Sequence, residues 1–246
     1  METLIQNPKS DVNFRQSNDF TESRFSDFTL LELKTFEFLA SQTKKIDIEY
    51  VKNKQNKVVS VRLLDLAVLL DFNSEYMYQQ TDHIVKNLFV KFAEFKYKDE
   101  KGKAQYVLKH FIEKVTYCDG IFTFEINHEV LPYFVDINKE YTNFNYKYMQ
   151  NLDSVYSLRM YMLLKQYENT ANKTRKFELE ELKKSLGILD TNRTYGRLKQ
   201  KILQPLVDKI NNGSDINVEL SEIKSGKKVV EVEFKISTVP KIKVVK

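Results

Sequence analysis

The chain has one cysteine, Cys118, no tryptophan, and only six glycines and four prolines in 246 residues. A single thiol cannot close an internal disulfide, so the fold must stand on burial, and a reducing compartment is the default. Few glycines and prolines leave little room for long linkers. The three histidines, His83, His110 and His128, lie far apart, with no His-x-His pair and no second cysteine to complete a metal site. No Gly-x-x-x-x-Gly-Lys-Ser/Thr stretch is present, so ATP chemistry is not expected. No apolar run approaches a membrane span, and the polar N-terminus lacks a signal-peptide core. The expectation is therefore a cytoplasmic protein with no membrane contact, no catalytic residue, no metal and no cofactor. Acids such as Asp65 and Asp71 have ordinary surface roles on helices, and Cys118, set among strand residues, reads as a buried, inert thiol.

Hydrophobic residues make up 42% of the chain and charged residues 30%, which suits a folded protein rather than a disordered one. The net charge of +5 is unevenly placed. Residues 1–153 hold 20 lysines and arginines against 23 acids, whereas residues 154–246 hold 19 against 11. A basic C-terminal part points to a polyanion partner, because phosphate neutralisation supplies most sequence-independent DNA affinity.

The stretch from Thr191 to Ile210 concentrates that charge. Leu198, Ile202, Leu206 and Ile210 recur every fourth residue, with Leu203 and Val207 beside them, and lay an apolar stripe along one helix face. Arg193, Arg197, Lys201 and Gln204 fall opposite, flanked by Lys199 and Gln200, and no acid lies between Asp190 and Asp208. A basic face alone also fits a solvated surface helix; its neighbours favour a helix laid in a DNA major groove. Upstream, Phe177, Leu179, Leu182 and Leu186 mark a shorter helix closed by Gly187. Downstream, Ile216, Val218 and Leu220, then Val230, Val232, Phe234 and Ile236, alternate as two half-buried strands. The turn between them, with Gly226, carries Lys224, Lys227 and Lys228, suited to phosphate contact. Helix, turn, basic helix and basic hairpin together read as a winged helix-turn-helix. The expected DNA-contacting residues are Arg193, Thr194, Tyr195, Arg197, Lys199, Gln200, Lys201, Lys224, Lys227 and Lys228.

The first half repeats that order of elements. Residues 1–24 read as a flexible polar arm. Thr29 and Glu32 have capping-box spacing and open a helix to about Thr43. Residues 46–60 read as strand or loop, and helices follow over 62–72 and 74–89. A turn at 99–102, one long strand over 105–117, the Asp119-Gly120 hairpin signal and a strand over 121–126 complete the set. Gln79 and Lys86 are the candidate auxiliary DNA contacts here, but Glu75 and Asp82 share their helix face and make it the poorer reader. Residues 129–137 read as a short helix interrupted at Pro132, and 141–152 as an extended, aromatic segment. Ser154 or Asp153 starts the next helix, whose aromatics suit core packing better than base stacking.

Residues 141–167, YTNFNYKYMQNLDSVYSLRMYMLLKQY, resemble the replication initiators of iteron-bearing plasmids, through Tyr141, Thr142, Ser154, Tyr156, Ser157, Arg159 and Tyr161. A second match is ELEELKKSLGI followed by KILQPLVDKIN, with Leu203, Pro205, Ile210 and Asn211 fitting the family's Leu-x-Pro…Ile-Asn close. The hairpin ending VEVEFKI and the Ser-Asn opening near residue 17 are similar more loosely, and Met160 and Met162 stand where leucine is common. The resemblance spans roughly residues 13–238. It implies an α+β chain of two tandem winged helix-turn-helix domains, a 25–150 domain for dimerisation and auxiliary DNA contact and a 151–240 domain as main DNA reader. It also implies binding of directly repeated double-stranded origin DNA, contact with host replication initiation proteins, monomer and homodimer forms, and no catalysis. The alternative is a winged-helix transcriptional repressor, which would use the same helix at a promoter.

Overall fold

The computed structural model describes residues 3–25, 27–46, 48–98, 100–188 and 194–239, and divides the chain into two units, Met1–Gln150 and Asn151–Lys246. Unit 1 runs β1 (Thr3–Ile5), β2 (Asn13–Ser17), α1 (Asn18–Glu22), β3 (Arg24–Phe25), α2 (Leu30–Ser41), α3 (Ile48–Lys52), β4 (Lys57–Arg62), α4 (Leu63–Leu70), α5 (Ser74–Gln79) and α6 (Thr81–Phe89). Two hairpins follow, β5 (Phe92–Lys98) with β6 (Ala104–His110) and β7 (Ile112–Cys118) with β8 (Ile121–Ile126), then β9 (Tyr141–Asn145) and α7 (Tyr146–Asn151). The strands form three sheets, ordered β1-β4-β8-β7, β3-β5-β6 and β2-β9. Helix α2, strand β4, helix α4, the helix pair α5–α6 and the β7–β8 hairpin paired to β4 constitute a winged helix, with β5–β6 inserted before its last two strands.

Four expectations are corrected here. The arm expected to be flexible over 1–24 is structured from Asn13 onwards: β2 pairs antiparallel with β9, and Phe14 and Phe20 are buried. Two aromatic side chains supply enough burial to order a segment whose composition is otherwise polar. The single strand over 105–117 breaks at Phe111, which turns into the core. Its amide donates to the Lys91 carbonyl at 3.3 Å and its own carbonyl accepts from the Asn127 amide at 3.0 Å. The segment 141–152 is extended only to Asn145 and helical beyond it, where Tyr146 and Met149 become buried. Cys118 is exposed, since period-2 alternation turns Tyr117 towards Phe122 and sends the next side chain outwards. The neighbouring Asp119 carboxylate pushes the Cys118 thiol up, away from the reactive thiolate.

Thr29 and Glu32 make the reciprocal cap that their spacing predicts: Thr29 Oγ1 accepts from the Glu32 amide at 3.3 Å, and the Thr29 amide donates to Glu32 Oε2 at 2.8 Å. Glu32 is 1% exposed on its side chain, with Lys91 Nζ 3.0 Å from Oε2 and His83 Nε2 2.9 Å from Oε1. Burial pushes the Glu32 pKa up, but the Thr29 amide and Lys91 outweigh it and hold the carboxyl below its ordinary value. A depressed carboxylate contributes stability that is complete above its unfolded pKa and is lost as pH falls through the lower folded one. Unit 1 should therefore lose this contribution as pH drops below about 4.5. Denaturant titrations at stepped pH on the chain and on Glu32→Gln should show a smaller acid loss in the variant; equal slopes would refute the assignment.

Unit 2 runs α8 (Val155–Lys165), β10 (Thr174–Glu178), α9 (Leu179–Ser185), a continuous helix made of α10 (Tyr195–Leu198), a π turn (Lys199–Leu203) and α11 (Gln204–Gly213), then β11 (Ile216–Ser225) and β12 (Lys228–Thr238). The sheet order is β10-β12-β11, both pairings antiparallel. Gly187, at φ +69, ends α9 as a left-handed cap, and the Ile188 amide donates back to the Lys183 carbonyl at 2.8 Å. Leu158, Tyr161 and Leu164 of α8 are buried, as are Leu182, Ile202, Leu206, Ile210, Val218, Phe234 and Ile236 from the other elements, so Tyr161 packs in the core while Tyr156 is half-buried. A buried ammonium is fully partnered there: Lys165 Nζ lies 2.5 Å from Glu168 Oε2 and 2.7 Å from Asp215 Oδ2, and Tyr161 donates to Asp215 Oδ1 at 3.0 Å. This pins the end of α8 to the residue just before β11 and so fixes where the hairpin leaves the core. No helix of the described residues is long and apolar enough to cross a membrane.

Candidate nucleic-acid interface

The π turn explains how a strict four-residue repeat stays on one face. In an ideal α-helix each four-residue step overshoots a full turn by about 40°, so Leu198, Ile202, Leu206 and Ile210 would wind off the core. The wider π turn, with the Gln204 amide donating to the Lys199 carbonyl, takes up that drift. Pro205 is the local cause, because it has no N–H and its ring would clash with the carbonyl four residues back in a regular α-helix. All four stripe residues are buried as a result. At the far end, the Asn211 side chain pairs like a strand residue with Val218, donating to its carbonyl at 3.0 Å and accepting from its amide at 2.7 Å. The helix is thereby fixed to β11 at one end.

The opposite face is what this packing leaves free. Thr194, Arg197, Gln200 and Lys201 are exposed, and Arg197 makes no hydrogen bond or ion pair with any described residue. Arg193 lies outside the described residues. Gly196 leaves the backbone bare between Thr194 and Arg197; a Cβ built there would meet nothing within 4 Å. The β11–β12 turn, at Gly226 with φ +60, presents Lys224, Lys227 and Lys228 to solvent.

Sequence reasoning missed the residue that joins these two surfaces. Glu222 on β11 accepts from Lys199 Nζ at 2.7 Å and from the Tyr195 hydroxyl at 3.1 Å on the same oxygen, Oε1. Lys224 Nζ lies 3.4 Å from its Oε2. Lys199 foremost, with Tyr195 and Lys224, outweighs desolvation and holds the Glu222 carboxyl below the usual carboxylate range. Burial and the same carboxylate push the Tyr195 phenol up. Three of the expected DNA-contacting side chains are thus already engaged. The signal available in the sequence was period-2 alternation along β11, which puts Leu220, Glu222 and Lys224 on one strand face.

In unit 1 the corresponding helix pair presents Gln79 and Lys86 as exposed side chains, but Lys86 is paired with Asp82 at 2.8 Å. The β7–β8 turn that stands where a wing would be carries Asp119 and Gly120 and no lysine. Of the two candidate surfaces, that of unit 2 is the basic one. Among the described residues no group of three or more His, Cys, Asp or Glu side chains could hold a metal ion.

Each unit is a winged helix, and the pair defines a tandem winged-helix architecture of the kind that carries DNA-binding proteins. The chain belongs to the family of initiator replication proteins: the description "Initiator Replication protein, WH1" matches residues 13–165, and "Initiator Rep protein, WH2" matches residues 178–236. It is a replication initiator, and the family is one of initiators rather than of enzymes. Among solved structures it is similar to the Pi initiator protein in complex with iteron DNA, at 18% identity and TM-score 0.69, covering 95% of this chain and 100% of that one. It is similar more distantly to domains 2 and 3 of RctB, at 11% identity and TM-score 0.49 over 95% of this chain and 94% of that one. The WH1 domain of a replication protein isolated from a multiple sclerosis patient matches 43% of this chain and 79% of its own length, at 18% identity and TM-score 0.32. No curated protein sequence matches the chain significantly.

Proposed function

We propose that this initiator starts replication of a plasmid by binding directly repeated double-stranded DNA, an iteron array, through the α10–α11 helix and the β11–β12 hairpin of unit 2. The observation that carries the reading is the acid-free outer face of the N-terminal half of that helix, where Thr194, Arg197, Gln200 and Lys201 stand exposed above an apolar, buried stripe. Side chains of this kind at the N-terminal half of a helix can reach base edges, while Lys227 and Lys228 at the hairpin tip suit phosphates. Unit 1, with Lys86 neutralised by Asp82, would add an auxiliary contact through Gln79 and would be the half that self-associates, so monomer and homodimer both belong to the reading. Host replication initiation proteins are the expected protein partners, in the cytoplasm. A dedicated transcriptional repressor gains nothing from the family match.

Binding-site selection on random duplexes, followed by footprinting of the full chain on the selected site, tests the proposal. The expected result is a site that recurs as tandem repeats at the replicon's origin and is bound in excess chelator. A selected site occurring singly, at a promoter and not at an origin, would favour the repressor. Lys227→Ala and Lys228→Ala should each weaken selected and random duplexes alike and reduce the salt slope by about 0.9; loss confined to the selected site would refute the phosphate role.

A further inference from the structure

Phosphate contact supplies sequence-independent affinity, so every lysine facing the DNA also raises binding to the wrong sequence. Unit 2 withholds one of them. Lys199 stands on the helix flank beside the exposed reading residues, yet its ammonium is 2.7 Å from Glu222 Oε1. The Tyr195 hydroxyl donates to that same oxygen at 3.1 Å, and Lys224 of the hairpin stands 3.4 Å from the other. One carboxylate therefore bridges the first turn of the helix, its π turn and the rising strand of the wing. The Lys199 and Glu222 side chains are 42% and 22% exposed, and ion pairs this open to water add little to stability. A bond that does little for the fold, placed between the flank of the helix and the wing, needs another explanation.

We propose that Glu222 is a specificity-determining residue of the DNA-reading surface: it holds Lys199 away from the phosphates and ties the reading helix to the wing, lowering affinity for random duplex more than for the site. Arg197, Gln200 and Lys201 are left to read bases, on a helix whose register against the wing is set before DNA arrives, which reduces the ordering needed on binding. The inference rests on the assignment of this helix and hairpin as the DNA-binding surface.

The test compares the full-length chain with Glu222→Gln, Lys199→Gln, the double variant and Tyr195→Phe, on the selected duplex and on a scrambled duplex of equal length, across a salt series. Glutamine keeps an acceptor for both donors and removes only the charge. Glu222→Gln should bind the scrambled duplex about 3- to 10-fold tighter near 0.1 M salt, with a slope steeper by about 0.9, the value for one added phosphate contact. The selected duplex should gain less, so the specificity ratio falls. Lys199→Gln in the otherwise unaltered chain should leave the slope unchanged, and in the double variant it should abolish the gain. Tyr195→Phe, which alters no charge, should leave the slope alone. An unchanged specificity ratio in Glu222→Gln, or a slope already reduced by Lys199→Gln alone, would overturn the proposal. Failure of the unaltered chain to bind any duplex would overturn the DNA-binding assignment itself, and this proposal with it. A thermal melt of each variant identifies losses that come from folding.

Discussion

Arg197→Ala should reduce affinity for the selected site by about 1–3 kcal/mol, roughly 5- to 150-fold, and relax base preference at one position. The expectation follows from where the side chain stands. Leu198 beside it is fully buried, which fixes the helix rotation and turns Arg197 outwards. Its guanidinium has no partner among the described residues, unlike the ammonium of Lys199 two residues on, which Glu222 already occupies. The neighbouring Gly196 has no side chain to hold a groove wall away. A free guanidinium can pair bidentately with a guanine edge, and the cost of losing such a pair falls on one base position rather than on the whole duplex. The salt slope on scrambled DNA should change by less than in the Lys227 and Lys228 variants. Competition binding against single-base substitutions of the selected site measures the effect, and equal losses on selected and scrambled duplexes would refute the base-reading role.

What the sequence made legible divides along a physical line. Periodicity is local, so α8, α9 and the long C-terminal helix could be placed, as could the β11–β12 hairpin, from runs of apolar spacing and one turn glycine. Capping is local as well, and Thr29 with Glu32 form the reciprocal bonds their spacing implies. The exposed face of the unit 2 helix was visible for the same reason: a buried stripe in a helix determines which residues lie opposite. The π turn was hinted at only by Pro205, because a proline inside a helix announces a disturbance without saying what form it takes.

Features that need a partner distant in sequence were hidden. Glu222 lies 23 residues from Lys199, and nothing in either local pattern says that the carboxylate and the ammonium meet. The buried Lys165–Asp215 pair, 50 residues apart, was equally silent. In the β-rich middle of unit 1, the unbroken run of strand-prone residues from Gln105 concealed the break at Phe111. Strand propensity reports only that residues fit a pleated surface, and the break is made by core packing. The N-terminal segment was misread because polar composition argues for disorder only while its few apolar residues lack a core to enter. The core that Phe14 and Phe20 enter is made by residues more than a hundred positions away, such as Phe134 and Phe144, as well as by near ones such as Phe25.

Phe20→Ala should destabilise unit 1 by about 3–5 kcal/mol, the range for removing a fully buried aromatic ring. Phe20 is 0% exposed, and its ring centroid lies within 4.8–6.0 Å of those of Phe25, Phe36, Phe95, Phe111, Tyr133 and Phe134. Those rings come from β3, α2, β5, the β6–β7 break and the segment after β8, so Phe20 is where most of the unit meets. The aromatic neighbours cannot close the gap without abandoning their own tilted and edge-on contacts, which places the cost towards the upper part of the range. The other ties of the α1 segment are single hydrogen bonds: the Ser17 hydroxyl caps it by accepting from the Phe20 amide at 3.2 Å, the Asn18 amide donates to the Glu140 carbonyl at 2.7 Å, and the Thr142 hydroxyl donates to Asn18 Oδ1 at 2.8 Å. Bonds of this kind contribute only about 1 kcal/mol each. Phe20→Leu, which keeps much of the volume, should recover most of the loss. Because the two units have separate cores, chemical denaturation of the alanine variant should show unit 1 unfolding early while the later transition of unit 2 holds its midpoint. Tyrosine fluorescence and far-ultraviolet dichroism would resolve the two steps. A loss below about 1 kcal/mol, the level of an ordinary surface substitution, would mean that residues 13–25 are an appendage of unit 1 after all.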